Sequence, residues 1–180
     1  IAKIAGIKLC ESIKFQYKKD FRSLMPTNLY GVNDNFDLKN SHVIPALIRK
    51  FHESKINKKK NTVVWGSGKV FRDFLYVDDL AKAILKIKKL PKKKYENLTQ
   101  GVSHINVGSG KQITIKAIAN KIKDTVGFKG NILFDKSKPD GMKLKMLSNK
   151  RIYKTGWRQK IYLELGLKKT YNYYKSLLKK

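Results

Sequence analysis

The chain has 180 residues, 41 of them Lys or Arg and 13 Asp or Glu, and a formal net charge of +28 at pH 7. Its one cysteine excludes an internal disulfide framework and a four-thiolate zinc site, and points to a reducing compartment, the cytoplasm. A hydrophobic fraction of 41% excludes a disordered polycation, and no apolar run approaches the ~20 residues of a bilayer span, so a soluble globular chain without a membrane partner is expected.

The opening Ile1-Ala2-Lys3-Ile4 has neither an initiator Met nor an N-cap and reads as the inside of a helix whose earlier residues are missing. Apolar residues at Ile1, Ala5, Leu9, Ile13 and Tyr17 make one face of a helix over 1–17. Phe21 to Pro26 reads as a short strand. Thr27 to Asn40, dense in Asn, Asp and Gly, reads as a long polar loop of the kind that carries function. Ser41 is placed to cap a helix from about His42 to Ser54, with Pro45 tolerated in the first turn. A strand over Thr62–Trp65 and a turn over Gly66–Lys69 lead into a strand over Val70–Tyr76, where apolar and polar residues alternate.

Asp78 and Asp79 suit the start of a helix running to about Leu90, and capping accounts for this carboxylate pair without chemistry. Pro91 to Val102 reads as a Lys-rich loop and Ser103–Gly108 as a strand. Thr114 caps a helix over 115–126, and Asn131–Asp135 is a further strand. After a loop containing Pro139-Asp140-Gly141 comes a short helix capped by Ser148 and ended near Gly156, then a last helix from about Leu163 to Leu178. Alternating strands and helices indicate an α/β fold with a mostly parallel sheet.

Basic charge invites a nucleic-acid reading, but 36 of the 41 cations are Lys, spread over nearly every segment. Base-edge and bidentate phosphate recognition favour Arg, and only Arg22, Arg49, Arg72, Arg151 and Arg158 are present. A nucleic-acid module would bind duplexes tightly and with steep salt dependence; a Lys-biased surface binds them weakly and without sequence preference. Gly-Ser-Gly-Lys at 66–69 and 108–111 fails the phosphate-loop pattern, which needs Gly at Val63 or Ile105 and Ser or Thr at Val70 or Gln112. No G-x-G-x-x-G joins a strand to a helix, so both Gly pairs read as turns. His42, His52 and His104 share no metal-ligand spacing with one another or with Cys10, and no metal is expected. His52 reads as a partly exposed helix residue, His104 as a structural strand residue and Cys10 as a small packed side chain. His42 differs from the other two histidines, since it follows the polar loop at a helix N-terminus, where anionic ligands are welcome. Trp65 fits either a core or a pocket wall. Arg72, opposite Phe71 and Phe74 on its strand, is a candidate phosphate clamp.

Met-Pro-Thr-Asn-Leu-Tyr-Gly at 25–31, Asn-Ser-His-Val-Ile-Pro-Ala-Leu at 40–47, Trp-Gly-Ser-Gly at 65–68, Arg-Asp-Phe-Leu-Tyr-Val-Asp-Asp at 72–79, Ser-His-Ile-Asn-Val-Gly at 103–108 and Lys-Pro-Asp-Gly at 138–141 follow one another in a familiar order. Together they resemble the GDP-L-fucose synthase family, NADPH-dependent 3,5-epimerase-4-reductases of GDP-4-keto-6-deoxy-D-mannose within the extended short-chain dehydrogenase/reductases. The chain resembles the C-terminal part of that enzyme, starting inside the helix of the Tyr-x-x-x-Lys signature. This resemblance implies a Rossmann-type NAD(P)-binding domain without its N-terminal part, at 1–30 and about 71–110. It also implies a smaller α/β lobe for the GDP-sugar at about 31–70 and 111–180.

Residue by residue, Lys3 matches the signature lysine, which binds the nicotinamide ribose of NADP(H) and favours the phenolate of the tyrosine four residues earlier, before Ile1. Pro26, Thr27, Asn28 and Leu29 match the strand end beside the nicotinamide. His42 matches the general acid of the epimerisation and also meets the cofactor. Lys50, Trp65, Arg72 and Asp140 match contacts to the GDP-sugar: Lys50 and Arg72 for the pyrophosphate, Trp65 as an apolar wall, Asp140 as an acceptor. Lys50 stands where the family often has Arg, keeping the charge without the bidentate fork. The family's base cysteine lies earlier than the signature lysine, so Cys10 is not its equivalent. A homodimer is implied through the first helix, around Ile4, Ile7, Lys8 and Glu11. A related nucleotide-sugar epimerase or dehydratase would share Lys3 and the same plan.

Overall fold

The computed structural model describes residues 1–100 and 103–179. Gly101 and Val102, the end of the predicted Lys-rich loop, lie outside the described residues. The elements run α1 (Ala2–Tyr17), β1 (Ser23–Pro26), β2 (Asn28–Tyr30), α2 (Val43–Ile56), β3 (Asn61–Trp65), β4 (Phe71–Tyr76), α3 (Val77–Lys88), α4 (Lys92–Leu98), β5 (His104–Val107), β6 (Gln112–Thr114), α5 (Ile115–Val126), β7 (Asn131–Asp135), β8 (Leu144–Lys145), α6 (Lys150–Tyr153) and α7 (Leu163–Leu177). The α/β fold expected from the sequence is the one observed. β1 pairs with β5, β2 with β4, β3 with β7 and β4 with β8, all parallel; only β6 meets β4 antiparallel.

Two apolar cores flank β4. On one side α2 contributes Ile44, Leu47, Ile48 and Phe51, α5 Ile118 and Ile122, and α7 Leu167 and Tyr171. The i, i+3, i+4, i+7 spacing on α2 puts all four side chains on one stripe. Full burial of one such side chain contributes about 1.5–3 kcal/mol. On the other side Leu75 packs with Ala83 and Ile87 of α3, with Ile105 and Val107 of β5, and with Ile152 and Trp157 from late in the chain.

The alternation read into 70–76 therefore gives way to a strand buried on both faces: Asp73, Phe74, Leu75 and Tyr76 are all buried, with Phe74 and Tyr76 in one core and Leu75 in the other.

Several local expectations are corrected. Asn28–Tyr30, read as loop, forms β2, because pairing with Phe74–Tyr76 satisfies its backbone and Tyr30 packs edge-on against both aromatic rings. Within the predicted Lys-rich loop, Lys92–Leu98 forms α4, anchored by Tyr95, whose hydroxyl accepts from the Ser23 amide. Ser41 does not cap α2; His42 occupies the N-cap position without a side-chain bond. Ser148 does not cap α6, which begins after Asn149, and the Asn149 side chain instead exchanges two hydrogen bonds with the backbone of Gly108. Asp79 does not cap α3 with its side chain. It is fully buried and accepts from the amides of Lys160 and Ile161 at 2.9 and 2.7 Å, while its carbonyl accepts from the Trp157 indole at 3.2 Å. Thr114 caps α5 as expected, accepting from Ala117 N at 3.1 Å.

On α1 the predicted face is turned outward: Ile1, Leu9 and Tyr17 are exposed, and the half-buried residues are Ile7, Cys10, Ile13 and Lys14. The stripe i, i+3, i+7 is the one that meets the body of the chain, with Lys14 paired to Glu96 at 3.3 Å and lying over the Tyr95 ring. α1 contains no buried residue at all.

Asp73 is fully buried; its Oδ1 accepts from the amide of Ser109 at 3.0 Å and from the Ser109 hydroxyl, and Oδ2 has no partner among the described residues. Burial pushes its carboxyl above the ordinary range, against the Ser109 bonds. A raised folded-state pKa means the ionised form costs stability above it, and the cost vanishes as pH falls below the unfolded value. Comparing wild type with Asp73→Asn in denaturant, the stability difference is expected to move in favour of wild type between pH 7 and pH 4. A difference independent of pH would contradict the assignment.

Candidate functional site

Two cavities take lining residues from the start of α2. The first, about 650 Å3, is lined by Lys3 of α1, by Pro26, Thr27, Asn28 and Leu29 where β1 passes into β2, and by His42. The sequence separates these residues by up to 39 positions, and the parallel strands bring them to one opening. Thr27 and Asn28 are fixed there by a shared acceptor: Thr27 Oγ1 and Asn28 Nδ2 both donate to the carbonyl of Asp73, at 3.0 and 2.8 Å. The Thr27 amide also donates to Val107 O at 3.0 Å, which ties the strand end to β5. His42 is exposed at the mouth of α2, with its carbonyl accepting from Ala46 N.

The preceding loop is braced by its own side chains. Phe36 is buried against Tyr174, Arg49 donates to Phe36 O, and Asp37 Oδ1 accepts from the amides of Lys39 and Asn40. Asp34, half-buried, has one carboxylate oxygen without a partner; burial raises its pKa, and the nearby His42 opposes that rise.

The second cavity, about 280 Å3, gathers all four of the remaining candidates, Lys50, Trp65, Arg72 and Asp140. Trp65 is 62% exposed, a wall and not a core residue. The ammonium groups of Lys50 and Lys138 lie 5.0 and 5.8 Å from its ring centroid, within cation–π range. Burial lowers the Lys50 pKa. Arg72 Nη1 donates to the carbonyls of Phe71 and Met142 at 2.6 and 2.7 Å, so the guanidinium is held at the cavity edge by the chain itself. Both oxygens of Asp140 accept from Ser67, one from its amide and one from its hydroxyl, each at 2.6 Å. Those bonds, with Lys69 and Arg72 nearby, hold the Asp140 carboxyl below the usual carboxylate range.

The Gly-Ser-Gly turn is explained by the same contact. Gly66 and Gly68 have φ of +84° and +74°, and a Cβ would come within 2.5 Å of Asp140 Oδ1 and of the Phe134 ring respectively.

Of the five arginines only Arg72 lines either cavity; the other four donate to carbonyls of Ile87, Phe36, Leu98 and Tyr153, an internal role. His52, read as a partly exposed helix residue, is half-buried and shares a 3.0 Å hydrogen bond with the Tyr171 hydroxyl. Sequence reading missed Ser41 and Lys39 as wall residues of the smaller cavity and Ser67 as the partner of Asp140. Ser41 had a competing local explanation as a cap, and Lys39 is one Lys among 36.

A family model described as the NAD dependent epimerase/dehydratase family matches residues 1–108. The chain belongs to that family. It is 51% identical over 175 residues to the GDP-L-fucose synthase of Escherichia coli strain K12, covering 97% of this chain and 54% of that protein. Among solved structures, a GDP-6-OMe-4-keto-L-xylo-heptose reductase from Campylobacter jejuni superposes with a TM-score of 0.85 at 36% identity, over 98% of this chain and 60% of that one. A GDP-L-fucose synthetase from Naegleria fowleri bound to NADP superposes with a TM-score of 0.78 at 29% identity, over 96% and 52%. The chain thus spans about half the length of the curated relatives it matches.

Proposed function

We propose that the chain is part of an NADPH-dependent enzyme that converts GDP-4-keto-6-deoxy-D-mannose to GDP-L-fucose, by 3,5-epimerisation followed by reduction of the 4-ketone. The observation that carries this reading is that consecutive residues at the start of α2 line different cavities. Ser41 and Val43 line the smaller one, and His42, between them in sequence, lines the larger. In this reading His42, within the larger cavity and next in sequence to two wall residues of the smaller, would serve a sugar in one and a cofactor in the other.

The larger opening suits a nicotinamide nucleotide. Lys3 contributes an ammonium free to bond ribose hydroxyls, the Thr27 and Asn28 side chains are already immobilised on Asp73, and Pro26 and Leu29 give apolar contact. Bound there, NADPH would supply hydride for the ketone. His42 Nδ1 or Nε2 would deliver a proton to the sugar carbons next to the ketone, from a backbone position fixed at the N-cap of α2. Lys50 and Arg72 would hold the pyrophosphate, with Trp65 as a flat wall; Asp140, through Ser67, would hold the two loops around it.

In this reading, residues 1–30 and about 71–110 belong to the cofactor lobe, and about 31–70 and 111–180 to the sugar lobe, with Ile152 and Trp157 reaching back across. α1, with no fully buried residue and with Ile4 65% exposed, is proposed to pack against a second subunit around Ile4, Ile7, Lys8 and Glu11. A cytoplasmic location fits the free Cys10.

The family's tyrosine and base cysteine correspond to no residue among these 180. The isolated chain is therefore expected to oxidise NADPH negligibly with GDP-4-keto-6-deoxymannose, and robust oxidation would contradict this. A second reading, a reductase of another GDP-sugar, is favoured by the Campylobacter structure; chromatography of products from several 4-keto GDP-sugars separates the two.

A further inference from the structure

The smaller cavity contains a cation that the roles above leave unused. Lys39 lines it beside Ser41. We propose, resting on the GDP-sugar reading of this cavity, that Lys39 is a substrate-binding residue whose ammonium meets the diphosphate of the bound nucleotide sugar.

Charge balance is the first argument. Lys39, Lys50 and Arg72 face one carboxylate, Asp140, in the cavity wall, a net excess of two positive charges. A nucleoside diphosphate sugar carries two negative charges on its bridging phosphates, which match that excess among the lining residues when Lys39 is counted.

Availability is the second. The Lys50 ammonium lies over the Trp65 ring and 3.4 Å from Val63 O, and Arg72 spends its Nη1 donors on two chain carbonyls. Lys39 Nζ takes part in no hydrogen bond or ion pair among the described residues. Its backbone is nonetheless fixed: the amide donates to Asp37 Oδ1 at 3.0 Å, Asn40 N does the same, and Ser41 N donates to Asp37 O at 2.9 Å. A rigid turn thus carries a free ammonium into the cavity wall.

The same turn supplies the third argument. Ser41 Oγ is buried with no partner among the described residues, an arrangement that is costly unless a ligand's polar group completes it.

The test is equilibrium titration of GDP into the full-length enzyme, as wild type, Lys39→Met, Lys39→Arg and Lys168→Met, the last an exposed lysine on α7 outside the cavity. Lys39→Met is expected to weaken GDP binding about tenfold, as loss of one charge-assisted contact predicts, by less at higher ionic strength. Lys39→Arg stays within about threefold, Lys168→Met is unchanged, and NADPH affinity is unchanged in all four. In turnover, KM for the GDP-sugar rises and kcat stays within about twofold.

Wild-type binding of GDP with Lys39→Met within twofold of it overturns the role of Lys39 and leaves the GDP-sugar reading intact. An equal loss in Lys168→Met also overturns it, since general surface charge would then account for the effect. Wild type that binds no GDP overturns the GDP-sugar reading itself, and this role with it.

Discussion

Replacing His42 by Gln in the full-length enzyme is expected to reduce proton exchange at C3 and C5 of GDP-4-keto-6-deoxymannose by at least about a hundredfold, the ordinary contribution of a positioned general acid. Direct reduction of the unepimerised ketone should persist, because the hydride would come from NADPH and needs no proton from His42. The geometry makes the separation sharp. His42 lines the larger cavity but lies in sequence between Ser41 and Val43 of the smaller one, whereas Lys3 and the Pro26–Leu29 segment have no sequence neighbour in the smaller cavity. Glutamine keeps a polar side chain at the N-cap, so the start of α2 is preserved while the titratable group is lost. Deuterium incorporation from D2O, followed by NMR alongside NADPH oxidation, reads both steps in one sample. If exchange and reduction fall together or survive together, His42 does not have this role.

The second large effect concerns stability. Asp79→Ala is expected to cost about 3 kcal/mol in denaturant unfolding, since it leaves the amides of Lys160 and Ile161 without their acceptor in a partly buried place. The segment it holds carries Trp157, whose indole donates to the Asp79 carbonyl and whose ring closes the second core. Asp79→Asn retains an oxygen able to accept both amides and should cost markedly less. The neighbouring Asp78 is more exposed and makes no such bonds, so Asp78→Ala should fall within about 0.5 kcal/mol of wild type. Equal effects at 78 and 79 would show that helix-dipole charge, and not the buried acceptor, is what these carboxylates provide.

These two residues mark where sequence reading succeeds and where it stops. The α2 helix, the Thr114 cap and the turn over Gly66–Lys69 were legible because each is signalled by residues close in sequence. Asp79 was not, because helix-start charge explained it locally while its actual partners lie some 80 residues away. β2 was hidden in a polar stretch for the same reason: three residues with Asn among them become a strand only when β4 is alongside. On α1 the sequence pointed to the face of Ile1, Leu9 and Tyr17, but which face turns inward depends on Tyr95 and Glu96, whose own helix the Lys-rich sequence concealed.

At the site, motif resemblance assigned Lys50, Trp65, Arg72 and Asp140 to the sugar and His42 to catalysis and the cofactor; the first four line the smaller cavity and His42 the larger. What it could not supply was the company they keep. The Ser67 bonds to Asp140, the carbonyls that hold Arg72 and the unpartnered Ser41 hydroxyl are tertiary facts, and they separate the residues that build the cavity from those left free to meet a ligand.

The most direct test of the account is the product of the full-length enzyme given GDP-4-keto-6-deoxy-D-mannose and NADPH in D2O. The account predicts GDP-L-fucose, with deuterium at C3 and C5 and one NADPH oxidised per molecule formed. Stoichiometric oxidation that yields only the unepimerised GDP-6-deoxyhexose without deuterium, or no oxidation with this substrate alongside rapid oxidation with another 4-keto nucleotide sugar, would contradict it.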